Sequence, residues 1–271
     1  MDQVVLSGSM KAAFLRCPRY YKHAHVDKRQ PRDRDGAMSF GTVWHESRAA
    51  RWKGEAYTFK VDPKNKIGQH EVELLHAFDK AYYDLYGPAR AKPLLVEERK
   101  IIGSMSVKFD ALVKDSHGRT YVVEVKTTSS DISEGSSYWE KLTLDSQVSD
   151  YWLAAEALGY KLDGVLYDVI RKPLLRQGRS ETREDFTERC VAAIVGDTDK
   201  HFARQIIKRL PATLAAAKQD HLEVTELIQL GKFPKNPRAC FDWSRCCPYH
   251  DVCNGVASID DDGLFEPSDY E

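Results

Sequence analysis

The chain has 271 residues, 42% of them hydrophobic and 30% charged, which is apolar enough for a sizeable core and argues against a disordered chain. Its 40 basic and 41 acidic residues leave a formal net charge of −1, so neither a chain-wide basic signature for nucleic acid nor a strongly acidic balance is present. No segment approaches the ~20 apolar residues that span a bilayer, and MDQVVLSGSM lacks the basic flank and apolar run of an export signal, so no membrane partner is expected.

Apolar spacing predicts a helix over Met10–Tyr21, a second over Phe40–Trp52 and a long third over Gln69–Tyr86, ended by Gly87-Pro88. The period then changes. Leu94–Ile102, Ser106–Lys114 and Thr120–Thr127 are short, β-branched and separated by turn residues, as in a three-stranded meander. A helix over Ser137–Leu158 and a strand over Gly164–Ile170 follow. Helices are expected over 184–195, 199–208 and 211–230, and then an irregular Pro/Cys-rich end over Gly231–Gly255. With no repeat or low-complexity linker, the order reads as one composite α/β domain over 1–255: a helical part to residue 90, a core over 91–172 and a helical part over 173–255. Residues 256–271 form an acidic tail.

Charge is uneven along this chain. Residues 1–34 carry eight Lys/Arg against three acids, residues 171–183 five against Glu181, and residues 204–245 eight against four. The six acids after Cys253 offset them, a pattern compatible with an electropositive groove.

The sharpest local feature is Tyr121-Val122-Val123-Glu124-Val125-Lys126-Thr127. Side chains two apart on a strand share a face, so Glu124 and Lys126 project together and Val123 and Val125 project away. Asp110, on the preceding strand, can lie across from them. Two carboxylates and an ammonium on one face form a hard-oxygen site for Mg²⁺ or Mn²⁺, where the lysine can orient a water. Alone, E-x-K reads as a surface salt bridge on an exposed strand face rather than as a metal site. Alone, His45 reads as a core histidine, and Gln147 and Tyr151, i,i+4 on one helix face, read as a polar stripe.

Taken in order, Gly41-Thr42-x-x-His45, Asp110, Glu124-x-Lys126 and Gln147-x-x-x-Tyr151 resemble the RecB-like exonuclease branch of the PD-(D/E)xK phosphodiesterases. Leu144-Asp145-Ser146-Gln147 is similar to phage-type members, and the opening from Ser7 and Ser9 to Cys17-Pro18-Arg19-Tyr20 fits the same branch. The resemblance implies a restriction-endonuclease-like core (α-βββ-α-β, mixed sheet) and a metal-dependent DNA exonuclease. Asp110, Glu124 and the Val125 carbonyl would ligate the metal, His45 would complete the shell or bind a second ion, Lys126 would position the attacking water, and Gln147 and Tyr151 would orient the strand. Phe109 stands where the superfamily's name has proline, and the pair Glu97-Glu98 leaves open which acid takes the first-strand position.

Six cysteines remain to be placed, and a reducing cytoplasm, bacterial or of a phage-infected host, favours metal ligands or core over disulfides. Four lie between Cys240 and Cys253 in a Pro-bearing segment, the kind that wraps a metal, and structural Zn²⁺ through these thiols or His250 is one reading. The family resemblance implies another. AddB-type and CRISPR-adaptation nucleases carry one cysteine before the core and three after it, holding a [4Fe–4S] cluster. Cys17, Cys240, Cys247 and Cys253 match that pattern, with Cys246 a spare neighbour able to exchange with Cys247, and Cys190 plain core. The implied substrate is single-stranded DNA or DNA ends, cut 5′→3′ in recombination, repair or phage replication beside a recombination protein or helicase. A structure-selective endonuclease and a non-catalytic DNA-binding subunit are the alternatives.

Overall fold

A computed structural model of the chain describes residues 4–32, 37–63, 66–88, 90–244 and 246–268. Of the charges counted above, Asp2, Asp33, Arg34, Arg245, Asp269 and Glu271 lie outside the described residues. Among the described residues no helix is long and apolar enough to cross a membrane.

The chain opens with β1 (Leu6–Ser7) and α1 (Gly8–Arg16), whose first turn is capped by Ser7 Oγ accepting from the Met10 N–H. The single helix expected over Met10–Tyr21 is broken. Cys17 is extended (φ −158°, ψ 106°) and α2 (Pro18–Tyr21) restarts after it. A residue before proline is pushed out of the helical region, and proline fits only the first turn of the next helix. A π-helical turn (Lys22–Val26) and β2 (Arg29–Pro31) follow. Next come α3 (Ala37–Lys53), α4 (Gln69–Tyr86) and the meander β3 (Lys92–Ile102), β4 (Met105–Lys114) and β5 (Thr120–Thr128).

The helix expected over Ser137–Leu158 is two, α5 (Ser137–Leu142) and α6 (Ser146–Ala157). Asp145 is extended and accepts from the Gln147 N–H at 2.8 Å, so a strong N-capping residue starts a new helix where the periodicity runs on. After β6 (Gly164–Arg171) and α7 (Arg183–Gly196), the helix expected over 199–208 is corrected. Only α8 (Thr198–His201) is helical, and β7 (Phe202–Ile207) is a strand antiparallel to β6. The register pairs Asp168 with Arg204, which form an ion pair at 2.9 Å, a cross-strand partner that no local window reveals. The chain ends with α9 (Pro211–Gln229), a 3₁₀ helix (Pro237–Ser244), α10 (His250–Asn254) and β8 (Phe265–Pro267).

The residues gather into two compact units, each built from separated stretches of chain: 1–35, 100–107 and 211–271 in one, 36–99 and 108–210 in the other. In the first, β1 runs parallel to the start of β4 (Leu6↔Met105, Ser7↔Ser106) and β2 pairs antiparallel with β8. Leu6, Phe14 and Tyr21 pack with Val224 and Ile228 of α9. Arg16 Nε meets Asp242 at 2.9 Å, Asn236 Nδ2 donates to the Arg16 carbonyl at 2.8 Å, and Arg19 Nε donates to the Phe233 carbonyl at 3.0 Å. The two ends of the chain are thereby tied within this unit.

The second unit is mixed α/β around a mixed sheet. β4 pairs antiparallel with β5, β5 parallel with β6, and β6 antiparallel with β7, while β3 pairs with β4. Ala111, Val113, Val123, Val125 and Ile170 face one hydrophobic core with Phe40 and Trp44 of α3, Leu75 and Phe78 of α4, and Cys190 and Ile194 of α7. Phe78 is fully buried and packs edge-to-face on Phe40, Trp44 and Phe202. Phe78→Ala is expected to cost about 3–5 kcal/mol, the range for a phenylalanine removed from a packed core. Denaturant titration measures it, and a loss below about 1 kcal/mol contradicts this packing.

Candidate active site and cysteine cavity

β5 is buried on both faces, with Val123 and Val125 in the core and Glu124 only 1% exposed on the other side. A buried carboxylate needs partners. Glu124 Oε1 takes the Lys126 ammonium and Oε2 takes the Tyr151 hydroxyl, both in short contacts. Gln147 Nε2 donates to the Tyr151 oxygen at 3.0 Å, and Lys126 Nζ donates to Gln147 Oε1 at 3.4 Å. The E-x-K of the strand and the Q-x-x-x-Y of α6 therefore close into one hydrogen-bonded ring.

The ring has a definite electrostatic balance. Burial raises the Glu124 carboxyl, and the Lys126 charge only partly pulls it back. Burial works against the Lys126 ammonium, but Glu124 overrides it and holds the group above its usual range. Tyr151 is pushed far up by burial and then by Glu124, so it stays a donor. α6 is held in place by Arg209, whose guanidinium donates to the Leu142 carbonyl at 2.7 Å, the Asp145 carbonyl at 2.8 Å and Ser149 Oγ at 3.0 Å. These contacts stitch the break between α5 and α6 just before Gln147.

Beside the ring, the β4–β5 register runs from Lys114↔Thr120 to Ala111↔Val123. Past it, Asp110 Oδ2 accepts the Val125 N–H at 2.9 Å and faces His45 Nδ1 at 3.3 Å. Burial pulls the His45 imidazole down, and Asp110 more than reverses this, leaving it raised. His45 reaches the site because α3 lies close on β5: a Cβ at Gly41 would stand 3.1 Å from Thr127 Oγ1. Among the described residues, one donor atom each of His45, Glu97 and Asp110 lie within 4.8 Å of one another, the one such group of three. Two carboxylates and an imidazole make a donor set that fits a divalent cation.

Of the residues singled out in the sequence, His45 and Asp110 stand together, and Glu124, Lys126, Gln147 and Tyr151 stand together. Val125 adjoins the trio through its N–H, which donates to Asp110 at 2.9 Å. Glu97 was not assigned a role by sequence reasoning. Its backbone is left-handed (φ 55°), unusual for a non-glycine residue in a strand, and this turns it off the alternation that would otherwise rank Glu97 and Glu98. The visible signal was the acidic pair itself. Lys108 pairs with Glu97 in a short contact.

Residues 5–254 match the PD-(D/E)XK nuclease superfamily. The chain belongs to that superfamily. Glu124-Val125-Lys126 has the (D/E)xK spelling of the superfamily's name, and the mixed sheet is in keeping with a restriction-endonuclease-like core. Among solved structures, a phage-related exonuclease from Haemophilus somnus 129PT is similar over 85% of this chain and 98% of that chain, with 16% identity and a TM-score of 0.36. No curated protein is significantly similar to this nuclease-superfamily chain.

In the first unit, Cys17, between α1 and α2, lines a cavity of about 210 Å³ together with Cys240, Cys247 and Cys253. Cys246 is exposed and does not line it, and Cys190 is buried in the core of the other unit. Burial raises the Cys247 thiol and its neighbours Cys240 and Cys253 add to this; burial likewise raises Cys253, with Cys17 and Cys240 adding to it. Four thiols facing one cavity fit a thiolate-held metal group.

Removing Asp110 or Glu97 takes one oxygen donor from the group of three. Asp110→Ala and Glu97→Ala are each expected to weaken Mn²⁺ binding by about tenfold or more. Isothermal titration of the purified protein measures this, and unchanged affinity in both variants places the ion elsewhere.

Proposed function

We propose that this protein is a Mg²⁺- or Mn²⁺-dependent DNA exonuclease. The observation that carries the reading is the closed ring of Glu124, Lys126, Gln147 and Tyr151 standing beside the trio His45, Glu97 and Asp110. A bound divalent ion supplies Lewis-acid polarisation of the phosphodiester and lowers the pKa of water at the site. Asp110, His45 and Glu97 would hold it, with Glu124 a further carboxylate nearby.

The residues of the chain supply position. Lys126 directs a water at phosphorus, with its own orientation fixed by Glu124 and Gln147. A P–O bond forms to that water's oxygen, which releases a proton to solvent, and the P–O bond to the leaving sugar oxygen breaks, the leaving oxygen taking up a proton from solvent. Gln147 and Tyr151 keep the lysine from wandering, and small displacements of an attacking group cost orders of magnitude in rate. Preference for single strands, 5′→3′ polarity and a role in end processing for recombination, repair or phage replication rest on the family resemblance of the motif set.

We also propose that Cys17, Cys240, Cys247 and Cys253 hold a [4Fe–4S] cluster with a structural role. What supports this reading is that one cysteine from before the core and three from after it line a single cavity.

End-labelled linear and circular DNA, single- and double-stranded, incubated with anaerobically purified protein and Mg²⁺ or Mn²⁺, tests the activity. Linear strands are expected to shorten from an end while circles survive; cut circles make it an endonuclease, and no cleavage of any substrate overturns the nuclease reading. Lys126→Ala is expected to lower cleavage about 10²–10⁴-fold, the usual worth of a positioned proton-transfer or water-orienting group, while DNA binding persists. Cys253→Ser is expected to lose iron, brown visible absorption and thermal stability together. Zinc in the wild-type protein, or iron unchanged in the variant, removes the cluster assignment.

A further inference from the structure

The catalytic face of the sheet does not end at Lys126. β5 and β6 are parallel and in register, with Glu124 beside Tyr167, Lys126 beside Val169 and Thr128 beside Arg171. Paired residues of neighbouring strands face the same way and alternate residues share a face. Thr128 and Arg171 therefore continue the Glu124–Lys126 face by one pleat, about 6.6 Å along the strand. An extended nucleic acid strand covers such a span with one nucleotide.

Arg171 is unusually under-used. Its backbone is fixed by pairing with Thr128 of β5 and by His201 Nδ1, which stands 2.6 Å from the Arg171 carbonyl oxygen. Its guanidinium carries five N–H donors. Nη1 meets Asp131 Oδ1 at 3.4 Å, a long contact. Nε is buried and has no hydrogen-bond partner among the described residues. An orphaned donor of this kind costs stability unless a ligand pays it back. Asp131 is the more exposed partner, 58% against 20% for Arg171. It is itself held by Ser133, whose Oγ and N–H donate to its carboxylate at 2.8 and 3.2 Å. The carboxylate thus stands where an anion would sit, at a distance too long to satisfy the arginine.

We propose that Arg171 is a second phosphate contact for the DNA strand, one nucleotide from the scissile phosphate at Lys126, and that Asp131 is the internal anion this phosphate displaces. The inference rests on the nuclease reading above. A planar guanidinium offers two parallel N–H groups to phosphate oxygens, a geometry a lone carboxylate at 3.4 Å does not use. When the strand docks, the phosphate takes the outer Nη donors that Asp131 leaves idle, and the Asp131 carboxylate is released to solvent and to Ser133.

The test uses the full chain in a Lys126→Ala background, with fluorescence anisotropy of labelled single-stranded oligonucleotides of several sequences over a range of salt. Adding Arg171→Ala is expected to weaken binding on every sequence and to reduce the slope of log K against log[salt] by about 0.7, one phosphate contact. Arg171→Lys keeps the charge and so keeps the slope, with weaker binding. Asp131→Asn is expected to tighten binding by up to about fivefold, the worth of an exposed ion pair, because the competing anion is gone. That gain disappears when Arg171→Ala is present as well. Thermal melting verifies folding, and if Arg171→Ala does not fold, the Asp131→Asn and Arg171→Lys results decide. A slope unchanged in Arg171→Ala, or an Asp131→Asn effect that is absent or survives loss of the arginine, overturns the proposal while DNA binding and wild-type cleavage leave the nuclease reading standing. A wild-type protein that neither binds nor cuts DNA overturns both.

Discussion

Glu124 is a carboxylate with almost no access to water, on a strand whose other face is already committed to the core. Ionised groups leave water only when paired, and removing one partner strands the other charge. Lys126 two residues on and Tyr151 on α6 meet this need, with Gln147 closing the circuit. Much of the second unit can be read as what this requirement imposes. α6 must present Gln147 and Tyr151 on one face and must begin where it does, which the Asp145 cap and the Arg209 contacts secure. The same bonds fix the geometry of the ring and hold it together.

The opposite face of the sheet carries a second ionic arrangement, with Asp168 accepting from Tyr82 and from Arg204 while the Arg204 guanidinium lies 3.7 Å over the Tyr86 ring. It fastens β7 to β6 and α4 to both. Regular elements thus build a stiff platform. The donors of the candidate metal group come instead from departures from regularity: Glu97 with left-handed backbone, Asp110 where the β4–β5 register opens, and His45 on a helix brought close by Gly41. Local strain of this kind persists only where the surroundings over-determine it, and the packed sheet provides that.

The first unit solves a different problem. Its cavity-lining cysteines come from positions more than two hundred residues apart in the chain. Side-chain-to-carbonyl bonds from Arg16, Asn236 and Arg19, and the Tyr249 hydroxyl donating to the Arg29 carbonyl at 2.6 Å, already hold the two chain ends together around the thiol-lined cavity. A bound metal group would add to a closure that packing and hydrogen bonds have begun.

Local patterns carried much of this protein. Alternation put Glu124 with Lys126 and away from Val123 and Val125, and helical spacing put Gln147 with Tyr151, because both periods are properties of a few consecutive residues. The three strands of the meander and the long α4 were legible for the same reason. Tertiary structure decided the rest. Periodicity does not register that Asp145 ends one helix by capping the next, that Phe202–Ile207 finds a strand partner in β6, or that Cys247 faces the cavity while Cys246 faces solvent. Nor does it register that Glu97 adopts a positive φ. Each of these depends on a backbone angle or a partner fixed by residues distant in the chain, and so the residue types of the candidate site were written in the sequence while their final grouping was set by the fold.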